Sequence, residues 1–199
     1  MSQIFLTCII VLLSGCFSFS KDKKEAQSQV LRINIGDDPQ SLDPRRARAL
    51  KDITLLRHLF EGLTRKNPQG KVEFALAKDV KVSEEGVRYR FTLIKSCWSN
   101  KDPLTAHDFA YAWHKVLDPA FPSDIAYQMY LIKNAQAVKE GKMPSSELGI
   151  RVLSDDELEI ELEHPAPYFL ELLSFPLFFP VHPKLDAENP NWGWQDSGY

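Results

Sequence analysis

Cysteine is scarce in this chain: three in 199 residues, too few for a disulfide framework. Neither G-x-G-x-x-G nor a P-loop occurs, so no phosphate cradle is indicated. No G-x-S-x-G nucleophile elbow is present. H-E-x-x-H and C-x-x-C are missing too, and a metal site would need scattered ligands. Charge of one sign is not in excess: the net charge is -3 and the pI about 6.0. That excludes a general basic field for nucleic acid. Glycines are few, nine against 13 prolines, which suggests rigid turns. What remains is an ordinary globular balance, 44% hydrophobic and 26% charged, which argues against disorder and fibrous repeats. The length suits one domain, or one and a fraction.

The apolar run Ile4 to Leu13 is short of the roughly 20 residues a helix needs to cross a bilayer. It suits the h-region of a secretory signal peptide. Leu13-Ser14-Gly15-Cys16 follows and resembles the lipobox of bacterial lipoproteins. By that resemblance, residues 1–15 are removed and Cys16 becomes the lipidated N-terminus. A plain signal peptide or an uncleaved anchor is the alternative. Residues 16–29, polar and rich in Lys and Ser, read as a tether. Cleavage also removes Cys8, so with Cys16 lipidated Cys97 is the one thiol left, and no intramolecular disulfide is then possible.

Val30 to Gly36 alternates and reads as a strand with one apolar face. Turns at Asp37-Asp38-Pro39 and Ser41-Leu42-Asp43-Pro44 follow. Asp52 can N-cap a short helix carrying Ile53, Leu55, Leu56 and Leu59, with Gly62 placed to end it. Ser83-Glu84-Glu85-Gly86 predicts a hairpin between 78–82 and 87–94. Ser154-Asp155-Asp156 predicts a second, between Ile150 to Leu153 and a strand of Leu158, Ile160 and Leu162. One hairpin presents Arg88 and Arg90, the other Glu157, Glu159 and Glu161. Side by side in one sheet, these charges would complement each other across strands. Thr105 and Asp108 form a capping-box pattern for a helix running to Leu117. Its apolar stripe is Phe109, Ala112, Trp113, Val116 and Leu117, and Asp118-Pro119 stops it. A second helix is expected from Ser123 through Tyr127, Tyr130 and Ile132, and a third around Tyr168, Phe169, Leu172 and Leu173. The fold class is α+β, hairpins with helices laid on one face.

The five histidines, His58, His107, His114, His164 and His182, show no metal spacing. Cys97 lacks an evident histidine partner. The carboxylates of Asp37, Asp38, Asp155 and Asp156 sit in turns, where Asx hydrogen bonding accounts for them. The residues therefore indicate no enzyme and no cofactor, and leave an exported domain.

A series of short motifs points further. In order they are Ser41-Leu42-Asp43-Pro44, Phe60-Glu61-Gly62-Leu63, Tyr89-Arg90-Phe91-Thr92-Leu93 and Trp98-Ser99. Pro103-Leu104-Thr105-Ala106-His107-Asp108-Phe109, Leu117-Asp118-Pro119, Glu147-Leu148-Gly149-Ile150 and Pro167-Tyr168-Phe169 follow. In this order the chain resembles the extracytoplasmic peptide-binding proteins of bacterial ABC transporters, solute-binding family 5, over residues 30 to 199. The resemblance implies the N-terminal part of a two-lobed periplasmic binding protein (type II, peptide-binding cluster), with a mixed or antiparallel sheet. It implies residues 30–64 and 186–199 as an incomplete lobe I, and 65–185 as a smaller inserted α+β subdomain.

The implied function is capture of a peptide by its backbone, closure of two lobes, and delivery to a membrane permease. The implied groove residues are Asp38, Pro39, Gln40 and Ser41, with Tyr127 and Tyr130 after Ser123. For Asp38, an Asx turn supporting the proline is an equal reading. Trp98, Phe109 and Trp113 are expected in the core of the smaller lobe. The turn after Trp98-Ser99 carries Asn100-Lys101, with Asn100 suited to the left-handed region. Location is exported, periplasm or cell surface, lipid-anchored through Cys16. Relatives are over twice as long, and the second lobe is not among these residues. The polypeptide alone is expected to bind peptide weakly or not at all. A repurposed lipoprotein interaction domain is the alternative function.

Overall fold

The turn at Ser83–Gly86 organises the central sheet. Gly86 takes φ +68° and its N–H donates to Ser83 O at 2.8 Å. A side chain there would be strained, so glycine closes the hairpin. The computed structural model describes residues 30–194. Contacts divide the chain into units 1–34 and 35–199, and the architecture below is that of the second.

In chain order, α1 is Leu50–Leu59, β1 Thr64–Lys66, β2 Val72–Phe74, β3 Ala77–Val82 and β4 Arg88–Leu93. Then come β5 Ser96–Cys97, β6 Pro103–Leu104, α2 Ala106–Leu117 and α3 Ala135–Lys139. Strands β7 Ile150–Ser154 and β8 Glu157–Glu161 and helices α4 Phe169–Leu172 and α5 Pro183–Glu188 complete them. The main sheet has the order β3-β4-β8-β7, with every pair antiparallel. The small hairpins β1-β2 and β5-β6 stand apart from it.

Both predicted hairpins form, and they lie side by side. Arg88 stands opposite Glu161 and Arg90 opposite Glu159. The opposite face of the sheet turns Tyr89, Phe91, Leu158 and Ile160 into the core. Helix α2 covers that face with Phe109, Trp113, Val116 and Leu117, all buried. The capping box holds: Thr105 N–H donates to Asp108 Oδ2 at 2.8 Å, satisfying a donor that helix geometry leaves open. At the other end Lys139 Nζ donates to the carbonyls of Val116 (2.9 Å), Asp118 (2.9 Å) and Phe121 (2.6 Å). Helix α4 falls where the third helix was expected.

Several expectations are corrected. Val30 to Gly36 is not a strand and belongs to no ladder among the described residues. Alternation supplies a face, but a strand also needs a partner for its amides. The N-cap of α1 is Ala49; Asp52 lies inside the first turn, buried, and accepts the Gln40 N–H through Oδ1 at 3.2 Å. Gly62 does not end α1, which stops at Leu59. Its role is close packing: a Cβ would sit 2.8 Å from Phe179 Cε1 and 3.0 Å from Leu173 O.

The second helix is only a 3₁₀ turn, Ala126–Met129. Ile132 bridges to Leu162, and Lys133 N–H donates to Glu161 O at 2.9 Å. This edge contact with the sheet draws the chain out of the helix. In the turn after Trp98 the left-handed residue is Lys101, φ +76°, not Asn100. Asn100 serves through its side chain, accepting the Asp102 N–H at 3.0 Å. Among the described residues no helix is long and apolar enough to cross a membrane.

Candidate functional site

Two neighbouring features could carry function: the polar turn that precedes α1, and a cavity flanked by the end of that helix. The turn is tied to the far end of the chain. Ser41 Oγ donates to Gly193 O at 2.9 Å and accepts the Asp43 N–H at 3.1 Å. Leu42 N–H also donates to Gly193 O, at 2.6 Å. Gly193 is needed for this approach, since a Cβ on it would lie 2.6 Å from the Asp43 backbone nitrogen.

Beneath the turn, Arg45 is buried with two carboxylates. It donates from Nε to Asp43 Oδ1 at 2.8 Å and from Nη1 to Asp186 Oδ2 at 2.8 Å. Asp186 also accepts Tyr111 OH at 2.7 Å and Trp192 Nε1–H at 2.9 Å. Burial alone raises the pKa of Asp186, but the bonds from Arg45, Tyr111 and Trp192 outweigh it and hold the carboxyl below its ordinary value. Burial and the bond to Asp186 push the Tyr111 hydroxyl up to about 12. The Arg45 plane lies 4.9 Å from the Phe121 ring centroid. This network joins three elements distant in sequence, and every charge in it is partnered.

The predicted groove residues divide. Asp38 and Gln40 are exposed and Pro39 half-buried, on the outer part of the turn. Ser41 is buried and its hydroxyl is spent on holding the turn. Tyr127 is 62% exposed, while Tyr130 is half-buried against the core. Neither tyrosine, nor any of residues 38–41, lies on the wall of the cavity described next. Cys16 lies outside the described residues.

The cavity holds about 630 Å³. Its wall comes from Leu42, from Leu59 and Phe60 at the end of α1, from the β5-β6 hairpin, and from Leu185 and Trp192. Phe60 and Trp192 meet with centroids 6.2 Å apart. Phe109 and Trp113 are core residues, as expected, but Trp98 is not: the β5-β6 hairpin carries it half-buried onto this wall, 5.5 Å from the His182 ring. His182 Nε2 faces Asp102 Oδ2 at 2.9 Å, and its Nδ1 accepts the Leu185 N–H at 3.4 Å. That places the neutral ring's proton on Nε2. The His182 bond holds the Asp102 carboxyl below its ordinary range. Cys97 is an exposed free thiol on the same wall.

No cluster of three metal-ligating side chains occurs among the described residues. The wall is largely apolar, with Leu42, Leu59, Phe60, Leu104 and Val181 on it beside Arg57, Glu61 and His182. Sequence reading missed the Arg45 network and the cavity alike. Arg45 and Asp186 are 141 residues apart, and no local pattern links them.

Comparisons with known proteins follow the same lines. The family described as bacterial extracellular solute-binding proteins, family 5 Middle, matches residues 71–198. The oligopeptide-binding protein OppA of Bacillus subtilis is 39% identical over 180 residues, 89% of this chain and 33% of that relative. A solved oligopeptide ABC transporter substrate-binding domain from Bacillus anthracis superposes with TM-score 0.74 at 38% identity, over 75% of this chain and 29% of that one. Listeria monocytogenes OppA bound to peptide gives TM-score 0.74 at 32% identity, over 76% of this chain and 30% of that chain. The chain spans about a third of the length of the curated relatives it matches.

Proposed function

Because the chain belongs to family 5 of the bacterial extracellular solute-binding proteins, we propose that it is the N-terminal part of the substrate-binding component of a peptide ABC transporter. The observation that carries this is the likeness to a peptide-bound relative, at 32% identity across three-quarters of the chain. The part consists, in this reading, of an incomplete first lobe (30–64 and 186–199) and a smaller inserted subdomain (65–185). The protein is exported and anchored through a lipid on Cys16, with 16–29 as tether. Its partners are a peptide and the membrane permease of the transporter. No bond is made or broken, and no metal or cofactor takes part. The turn of Asp38, Pro39 and Gln40, with Ser41 as its fastening, faces peptide, and Tyr127 and Tyr130 add aromatic contact.

Peptides bound as strands are gripped from two sides, and hinge closure does the gripping. A third of such a fold presents one side only. Two titrations test the reading. The 199-residue chain alone is expected to show no micromolar heat signal with mixed tri- to pentapeptides. A fusion of its folded part to the remaining two-thirds of Bacillus subtilis OppA is expected to bind them. Micromolar binding by the isolated chain, or none by a folded fusion, overturns it.

A further inference from the structure

The β5-β6 hairpin pairs Ser96 with Leu104 and Cys97 with Pro103, and it stands apart from the main sheet. A two-stranded ribbon this short is marginal by itself and needs outside ties. Side chains at its tip supply them. Trp98 Nε1–H donates to Asp108 Oδ2 at 3.3 Å, and Asp102 Oδ2 meets His182 Nε2 at 2.9 Å. His182 has a second task. As the N-cap of α5 it accepts the Leu185 N–H through Nδ1 at 3.4 Å. One imidazole, its side chain 11% exposed, thus joins the hairpin tip to the first turn of α5.

Only the neutral ring can do both, with one nitrogen donating and the other accepting. A proton added at Nδ1 turns that acceptor into a donor, and the Leu185 N–H loses its partner. The other contact moves the opposite way. From a charged ring, the bond to Asp102 becomes charge-assisted, shorter and stronger. The further charges near the pair are Asp108 on α2 and Lys184 on α5. Arg57, His58, Glu61 and Cys97 line the same cavity. The His182 and Asn100 bonds hold Asp102 below its ordinary range, so it stays ionised over the span in which histidines titrate, about pH 5 to 8.

We propose that His182 is a proton-operated catch between the β5-β6 hairpin and α5. Neutral, it holds both; protonated, it tightens on Asp102 and releases the Leu185 amide. Trp98 and Leu185 both stand on the cavity wall. Acid therefore fixes the hairpin side of that wall and frees the α5 side. The release is local, because the Asp186 N–H keeps its bond to the His182 carbonyl oxygen, 3.0 Å away. The catch uses contacts within this chain alone and does not depend on the peptide-transport reading.

The test is NMR on the full 199-residue chain from about pH 8 to 5. Ring nitrogen shifts report the tautomer and protonation of His182. Amide exchange, divided by the intrinsic rate at each pH, reports the two contacts. Protection at Leu185 should fall at least threefold as the ring protonates. Protection at Trp98, whose N–H donates to Asp102 O at 2.9 Å, should rise at least threefold. Asp186 should stay level. His182→Asn caps without titrating and should show neither change. Asp102→Asn should lose the Trp98 change and keep the Leu185 one. Burial pushes the Asp108 carboxyl up, and a response from that group would persist in His182→Asn, which separates the two. Circular dichroism confirms that each variant is folded; should one fail, the ring shifts and exchange of the unaltered chain decide.

A ring that stays neutral throughout overturns the proposal. So does a neutral ring with its proton on Nδ1, or a protonated ring with either protection unchanged. Leu185 and Trp98 moving in the same direction, or an equal loss at Asp186, would also sink it. The same response in His182→Asn, or a Trp98 response surviving in Asp102→Asn, overturns it too.

Discussion

Arg90 and Glu159 face each other across β4 and β8, guanidinium to carboxylate at 3.0 Å. Arg151 approaches the same carboxylate from β7 at 3.8 Å. Glu159 is 7% exposed and lies between two cations. Arg90, by contrast, is about half in water.

The asymmetry predicts unequal mutations. Arg90→Ala should cost only about 0.2–1 kcal/mol, as for an exposed pair. Glu159→Lys places a third cation beside two others and should cost several-fold more. Urea unfolding of the two variants gives the comparison; equal midpoints would show that the charge ladder does not matter to the sheet.

The buried Arg45 site behaves differently. Arg45→Met leaves Asp186 without its cation and Asp43 with only Arg46, at 3.4 Å, and breaking such a pair costs about 3–5 kcal/mol. Chemical denaturation should show that loss.

Acid should act through the same group. The folded-state pKa of Asp186 lies below its ordinary value, so the unfolded chain binds the proton more readily. Its contribution is complete above the ordinary carboxyl pKa, near 3.8, and is lost as pH falls through the lowered one. Asp186→Asn should flatten the dependence of unfolding free energy on pH in that acid window. A slope unchanged by the substitution would remove Asp186 as its source.

Lys139 caps α2 from a neighbouring helix through three carbonyls. Lys139→Met keeps the stem but deletes the donors, and should cost about 1.5–3 kcal/mol, as for hydrogen bonds to charged groups. Thermal melting tests it; Lys139→Arg should recover part of the loss.

Gly149 lies between Lys133 and Glu161, and a Cβ there would overlap the Glu161 carbonyl oxygen and sit 2.9 Å from Lys133 Cβ. Gly149 N–H donates to Lys133 O at 3.0 Å, and Glu161 N–H donates to Gly149 O at 2.8 Å. The backbone cannot retreat without breaking these bonds. Gly149→Ala should therefore cost about 1–3 kcal/mol, the range for overpacking a filled site. An alanine variant as stable as the parent would show that this edge is free to move.

Local chemistry makes much of this fold legible in the amino-acid order alone. Gly86, the alternations of 87–94 and 157–162, and the Thr105 and Asp108 pair each act within a few residues, and each holds. The cross-strand charge match is readable because register follows from alternation. Val30 to Gly36 has the same alternation and joins no ladder among the described residues, so pattern alone overreaches there. The Ser123 helix fails because Ile132 is claimed by a bridge to Leu162, thirty residues on in the chain.

The sequence by itself determined the hairpins, the capped helix and the family, all of which rest on short-range geometry or motif order. Tertiary structure alone decided that Ser41 is a fastening and that Arg45 gathers Asp43 and Asp186. It also moved Trp98 from the expected core onto a cavity wall. The reason is physical. Burial and partnership of a polar or aromatic side chain depend on groups brought from far along the chain, and a linear pattern carries no record of them.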